Sequence, residues 1–334
     1  MKSESLHGRS GVIVVVALGM LLIGTPLLSV SAATMSPAEW FQIALNTNPQ
    51  SLGCAQMIYP STTWTYVKCS SHTAVPANVG NGADKVATGS TTIGLAYGTF
   101  TNESGITSEY DPAWNNDYDY YSAQMNTQTF YTTTSYTAGT PEVWQQFIWQ
   151  NDGSGSNYGW LSQELWLPNY YTNNHACPTT YPTGLSAWTP YPSTNPVSCY
   201  TTGTYGSTNT ETILPTALND LLLEGITGQS GNDVAKMCNY ATDDCYTYSV
   251  PDIFGLSSNW KDYEFNVFGF GGGPSSIATF NSGSSLTVET HVYDASSNPI
   301  TPSCSSAGYT GEQNNFNLGT CSSGSGYMDF YESN

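Results

Sequence analysis

The sequence predicts a mainly β protein: an antiparallel two-sheet sandwich or jelly roll with long disulfide-stapled loops and one short N-terminal helix. Three observations carry that expectation. Short runs rich in Thr, Tyr, Val and Phe are separated by clusters of Gly, Asn, Pro and Ser, the spacing of strands and turns. Few windows repeat apolar residues at helical spacing. Eight cysteines follow a leader that reads as an export signal, so the loops can be held covalently.

Lys2 and Arg9 precede the apolar run Gly11 to Gly24, and Pro26 and small residues lead to Val30-Ser31-Ala32-Ala33, the layout of a secretory signal and its cleavage region. Residues 1–33 are expected to be a signal peptide and 34–334 a single secreted β-sandwich domain. The apolar run is short for a membrane span, with an uncleaved N-terminal anchor as the alternative, and no later segment is apolar enough to cross a bilayer. Ser36 as N-cap, Pro37 at the first helical position and the early acid Glu39 predict a short helix over 36–45.

Strands are expected over 90–98, 120–131, 143–150, 158–167, 264–268, 285–293 and 327–332. The segment 218–226, bounded by Pro215 and Gly228, reads as helix by length or strand by flanks. A long irregular insertion is expected over 170–215. The cysteines fall into four local couples, Cys54 with Cys69, Cys177 with Cys199, Cys238 with Cys245 and Cys304 with Cys321, although eight cysteines allow 105 connectivities. The run from Asp233 to Tyr240 and that from Cys245 to Val250 read as a hairpin that the third couple would staple.

Composition narrows the function. The chain has 334 residues with 6 Lys and Arg against 25 Asp and Glu, a formal net charge of −19. Past the leader the only bases are Lys68, Lys85, Lys236 and Lys261, which excludes nucleic-acid binding through clustered phosphate contacts. Only 9% of residues are charged, so solubility rests on Ser, Thr, Asn, Gln and Tyr, and an acidic medium is expected to be tolerated. With no CxxC pair and widely scattered histidines, neither a metal nor any other cofactor is expected. The oxygen-rich stretch 109–119 reads as a solvated turn, with calcium as the weaker alternative.

Strand alternation then picks out a face. Over 159–167 it puts Leu161, Gln163, Leu165 and Leu167 on a core side and Trp160, Ser162, Glu164 and Trp166 on the other. If the two strands before it pair with it, Gln146 or Gln145 lies near Glu164, and Trp144, Gln124, Asn126 and Gln128 extend the same aromatic and amide surface. Indoles beside amides and a carboxylate suit glycan binding, with Trp160, Trp166, Trp144, Gln124, Asn126 and Gln128 as ligand-binding candidates. A glutamate beside a glutamine also suits acid peptide hydrolysis, in which the acid handles protons and the amide stabilises the oxyanion. Glu164 with Gln146, and Glu312 as a second carboxylate, are the catalytic candidates for that chemistry. The bland alternative is that these tryptophans only pack beneath the 170–215 insertion.

The stretches 121–130, 144–149, 264–269, 310–318 and 330–333 resemble a family of secreted proteins of bacteria, fungi and archaea with no established function, of the concanavalin A-like sandwich kind. The resemblance implies one continuous domain after about residue 50 and contributes no catalytic residue. A fainter resemblance, a secreted acidic sandwich with Gln and Glu on neighbouring strands, is to the acid glutamic peptidases. The expectation is therefore an extracellular β-sandwich whose partner is a polysaccharide, cell-surface polymer or polypeptide. Glycan binding is the first reading, acid endopeptidase the second and a structural surface or filament subunit the third.

Overall fold

The computed structural model describes residues 55–56, 65–66, 78–80, 83–114, 117–153 and 158–334. The expected helix over 36–45 and the couple Cys54/Cys69 lie outside them. Two compact units divide the chain at residue 66. In the first, β1 (Ala55–Gln56) and β2 (Thr65–Tyr66) form a short antiparallel pair.

The second unit is a two-sheet sandwich. Its strands begin with β3 (Asn78–Gly80), β4 (Lys85–Thr88), β5 (Leu95–Ser104), β6 (Glu109–Asp111), β7 (Asp117–Tyr118), β8 (Tyr120–Thr127) and β9 (Phe130–Tyr131). They continue with β10 (Glu142–Asp152), β11 (Gly159–Leu167), β12 (Thr189–Tyr191), β13 (Ser198–Thr210), β14 (Leu221–Gln229), β15 (Asn232–Asn239) and β16 (Asp244–Pro251). The last are β17 (Asp262–Gly269), β18 (Ile277–Phe280), β19 (Ser285–Tyr293), β20 (Ser303–Ser306), β21 (Gln313–Gly324) and β22 (Tyr327–Ser333). One sheet runs in the order β12-β13-β11-β10-β8-β17-β4-β20, with β9 added at β10. The other runs β16-β15-β14-β5-β19-β22-β21-β18-β6-β7, with β3 added at β21.

The predicted strands are present with shifted ends, and the differences have local causes. The first expected strand begins at Leu95 rather than at residue 90, because the preceding residues bond elsewhere, Gly89 N–H to the Lys261 carbonyl and Ile93 N–H to the Trp260 carbonyl. The ambiguous segment 218–226 splits into a 3-10 turn, Pro215–Asp220, and the strand β14. The 170–215 insertion is less irregular than expected, since it contains the thirteen-residue β13. The expected hairpin forms as β15 and β16, with Cys238 opposite Cys245 and bonded to it. Cys177 bonds to Cys199 and Cys304 to Cys321 as expected.

Between the sheets, Phe100, Phe147, Trp149, Trp260, Tyr263, Phe265, Val267 and Val288 are buried in the core. Two strand glycines let rings from one sheet touch the backbone of the other. A Cβ at Gly98 would lie 2.3 Å from the Phe265 ring, and one at Gly225 2.9 Å from Phe147. The sandwich also encloses polar groups: Gln145 Nε2 donates to Gln163 Oε1 and to Asp233 Oδ2, each at 3.1 Å, and Gln163 Nε2 donates to the Tyr248 carbonyl at 2.8 Å.

Asp84, Glu109, Asp233, Glu264 and Glu332 are all buried. Burial, reinforced by neighbouring carboxylates, holds Asp84 well above the ordinary aspartate range. Burial likewise pushes Glu109 up to about 10 and Glu332 up to about 8. Groups whose folded pKa is raised contribute stability that is present below their unfolded pKa and is lost as pH rises through the folded value. The thermal unfolding midpoint should therefore fall as pH is raised from about 4.5 to about 8. Calorimetry across that window checks the sign, and a midpoint that climbed instead would contradict burial of these acids in protonated form.

Candidate functional site

Pairing of β10 with β8 and β11, and of β8 with β17, lines up four side chains in one cross-strand row: Glu264, Asn126, Gln146 and Glu164. The row exists because each strand contributes a residue of the same pleat parity. Gln145, one residue along, points into the core toward Asp233, so the pleat selects Gln146 as the neighbour of Glu164.

A hydrogen-bonded ladder runs through this face. Ser122 Oγ donates to the Gly269 carbonyl at 2.8 Å and accepts Gln124 Nε2 at 2.9 Å. Gln124 Oε1 accepts both Asn126 Nδ2 and Gln146 Nε2, each at 2.9 Å. Asn126 Nδ2 also donates to Thr310 Oγ1 at 2.6 Å, and that hydroxyl donates to Glu264. Glu264 further accepts the backbone N–H groups of Thr310 at 2.8 Å and Tyr309 at 3.0 Å. It is completely buried, and burial pushes its carboxyl to about 6 against the pull of these donors. Gln128 lies beside it.

Glu164, by contrast, is partly open to solvent. Trp166 Nε1 donates to its Oε2 at 3.0 Å. Burial in the groove, followed by the charge of Glu312, pushes Glu164 up to about 7 despite that hydrogen bond. Glu312 comes from the segment just before β21 and accepts the Gly273 N–H at 3.0 Å. Gly273 belongs to the glycine loop 271–273, in which all three residues have positive φ. Asp111 ties down both feet of this loop, accepting Phe270 N–H at 3.0 Å, Ser276 Oγ at 2.5 Å and Ile277 N–H at 3.2 Å. The aspartate expected in a solvated turn is thus buried and fully engaged with the loop.

Aromatic rings line the groove at the Trp166 end. Trp166 stacks on Tyr200 with centroids 4.8 Å apart and meets the edge of Tyr191 at 5.1 Å. Trp144 lies 6.0 Å from Trp166 and 5.0 Å from Tyr309, but is only 7% exposed, with its Nε1 donating to the Thr127 carbonyl. At the other end Trp160 packs beside Phe270 at the foot of the glycine loop.

The structure thus brings Glu164, Gln146, Trp160, Trp166 and Trp144 to one face and sets Glu312 close enough to act electrostatically on Glu164. Gln124 and Asn126 are buried in the ladder rather than open on the surface. Sequence reasoning missed Tyr191 and Tyr200, which lie in the 170–215 insertion, and the sealed carboxyl of Glu264. Alternation within 262–269 could have placed Glu264 beside Asn126, but only the fold brings the cap formed by 309–310. Among the described residues no group of three or more His, Cys, Asp or Glu is arranged to hold a metal, and no helix is long and apolar enough to cross a membrane.

Exchanging Thr310 for Val keeps the shape and removes the hydroxyl linking Asn126 to Glu264. The expected loss is about 1–3 kcal/mol of stability, read by chemical denaturation, because a buried amide hydrogen and a carboxylate oxygen lose their partner. An unchanged midpoint would mean that the ladder contributes nothing to folding.

No family description and no curated protein sequence matches the chain. Among solved structures it is similar to SCP-B, a member of the eqolisin family of peptidases solved in a complex with the tripeptide Ala-Ile-His. The identity is 11% and the TM-score 0.34, over 77% of this chain and 98% of that one. It is also similar to scytalido-glutamic peptidase with a peptide-based transition state analog, at 13% identity and TM-score 0.30, over 76% of this chain and 94% of that one.

Proposed function

We propose that the protein is an acid-active endopeptidase working outside the cell, with Glu164, Glu312 and Gln146 as its catalytic groups. The observation that carries this reading is the carboxyl pair: Glu164 and Glu312 are both half-buried and close enough to interact, and burial together with the charge of Glu312 raises Glu164 to about 7. A carboxyl that keeps its proton to higher pH can serve as an acid, with the neighbouring carboxyl as the base.

In this mechanism Glu312 takes a proton from water while the water oxygen bonds to the carbonyl carbon of a peptide. The carbonyl electron pair moves onto oxygen, where a Gln146 Nε2 hydrogen receives it. An amide nitrogen carries two hydrogens, and Gln124 uses one of them. Glu164 then passes its proton to the peptide nitrogen as the carbon–nitrogen bond breaks, and the proton on Glu312 restores the starting state through solvent. Trp166 holds Oε2 of Glu164 throughout. The disulfides supply cross-links that suit an oxidising, extracellular setting.

Glycan binding is the second reading, favoured by the Trp166–Tyr200 stack. Of its amides, Gln124 and Asn126 are buried and bonded to one another, while Gln146 keeps one hydrogen beyond its bond to Gln124.

Incubation of the purified protein with a denatured protein mixture, read by mass spectrometry for new termini, tests the reading. Cleavage should be lost in Glu164→Gln and Glu312→Gln, and kcat/KM of the wild type should fall as pH rises through about 7, where Glu164 loses its proton. Activity persisting in Glu164→Gln, or no cleavage at any acidic pH, would remove the proposal.

A further inference from the structure

The ring cluster beside Glu164 has a use that the hydrolytic chemistry leaves open. Trp166 is held to the Glu164 carboxyl through its indole N–H, so the face and edge of the ring stay free of polar duty. Tyr200 backs it in a stack, and Tyr191 closes it at a right angle. Tyr191 is 38% exposed, and Tyr309, 5.0 Å from Trp144, is 40% exposed, so the ring cluster is open to solvent rather than sealed. The wall is purpose-built: β12 pairs with β13 so that Thr189 lies opposite Tyr200 and Pro190 opposite Cys199, and the Cys177–Cys199 bond pins the insertion that delivers Tyr191.

We propose that Trp166, Tyr200 and Tyr191 form the pocket that receives a large apolar side chain of the polypeptide substrate, within two residues of the cleaved bond. This rests on the peptidase reading. The spacing follows from strand geometry: residues 164 and 166 share a face of β11, about 7 Å apart, which is the span of two residues in an extended substrate. A Phe, Tyr or Leu side chain matches the pocket because ring packing needs no hydrogen-bond partner. A sugar ring would stack on the same indole, so oligosaccharides enter the test as competitors. An acidic side chain would find no cation among Trp166, Tyr200 and Tyr191, so the pocket selects against it.

The test measures binding apart from cleavage. Hexapeptides identical except for Phe or Ala at one central position are titrated calorimetrically into the Glu164→Gln protein, with a xylan and a glucan oligosaccharide as competitors. The Phe peptide should bind about tenfold tighter than the Ala peptide, and Tyr191→Ala in the same background should shrink that ratio to under about threefold while the thermal midpoint stays put. In the wild type, fragment mapping should place large apolar residues within two positions of the new termini. Equal affinity for the two peptides, displacement of the Phe peptide by either oligosaccharide, or a ratio that survives both Tyr191→Ala and Trp166→Leu overturns the pocket. If the Phe preference holds and the wild type cleaves nothing, the peptidase reading falls and the pocket stands as a peptide-binding site.

Discussion

The shortage of cations governs this structure. With 6 Lys and Arg for 25 Asp and Glu, a carboxyl group that enters the interior seldom finds a base to neutralise it. Among the described residues, Glu224 pairs with Lys236 at 3.1 Å and Glu289 with His291 at 2.8 Å. The remaining buried acids have two options: to keep a proton, or to collect neutral donors from the backbone and from hydroxyl and amide groups. Asp111 takes the second course and in doing so fastens both feet of the glycine loop. Glu264 takes it with three donors from Tyr309 and Thr310. Glu109, buried beside Asp111 and Asp119, takes the first.

Because these acids are satisfied by loop backbone rather than by distant lysines, they also position the loops. Asp111 fixes the segment that presents the Gly273 N–H to Glu312, and Glu264 fixes the segment that precedes Glu312 in the chain. The segments that carry Glu312 and its partner Gly273 are thus held by two buried carboxyls. The polar ladder through Asn126, Gln124 and Gln146 ties the same cap to the sheet, which gives the groove a rigid floor. Side-chain order at the site is then a property of the sandwich as a whole rather than of one loop.

The pleat made much of this legible. Alternation over 159–167 separates Glu164, Trp160 and Trp166 from the leucine side, and the hairpin register distinguishes Gln146 from Gln145. What stayed hidden depends on contacts distant in sequence. β13 shows little apolar alternation in its second half, where Tyr205 stands almost wholly exposed, so its Thr and Gly residues read as loop. Tyr191 and Tyr200 reach Trp166 only because β13 packs along β11. Asn126 is capped by Thr310, 184 positions beyond it, and no local pattern announces that cap. Strand periodicity assigns a residue to a face; it does not say what will lie on that face.

The same scarcity joins stability to the proposed chemistry. A carboxyl in a groove beside a second carboxyl, without a base in reach, holds its proton to higher pH than a free side chain does, and this is the condition an acid catalyst needs. An engineered lysine beside Glu164 would lower its proton affinity and place an ammonium group in the groove, removing the acid while adding the charge complement that most proteins use to keep such a residue buried. At Glu164 and in the core alike, a proton does the work that a cation does elsewhere, so the proton affinity of these carboxyls bears on the fold and on the role proposed for Glu164.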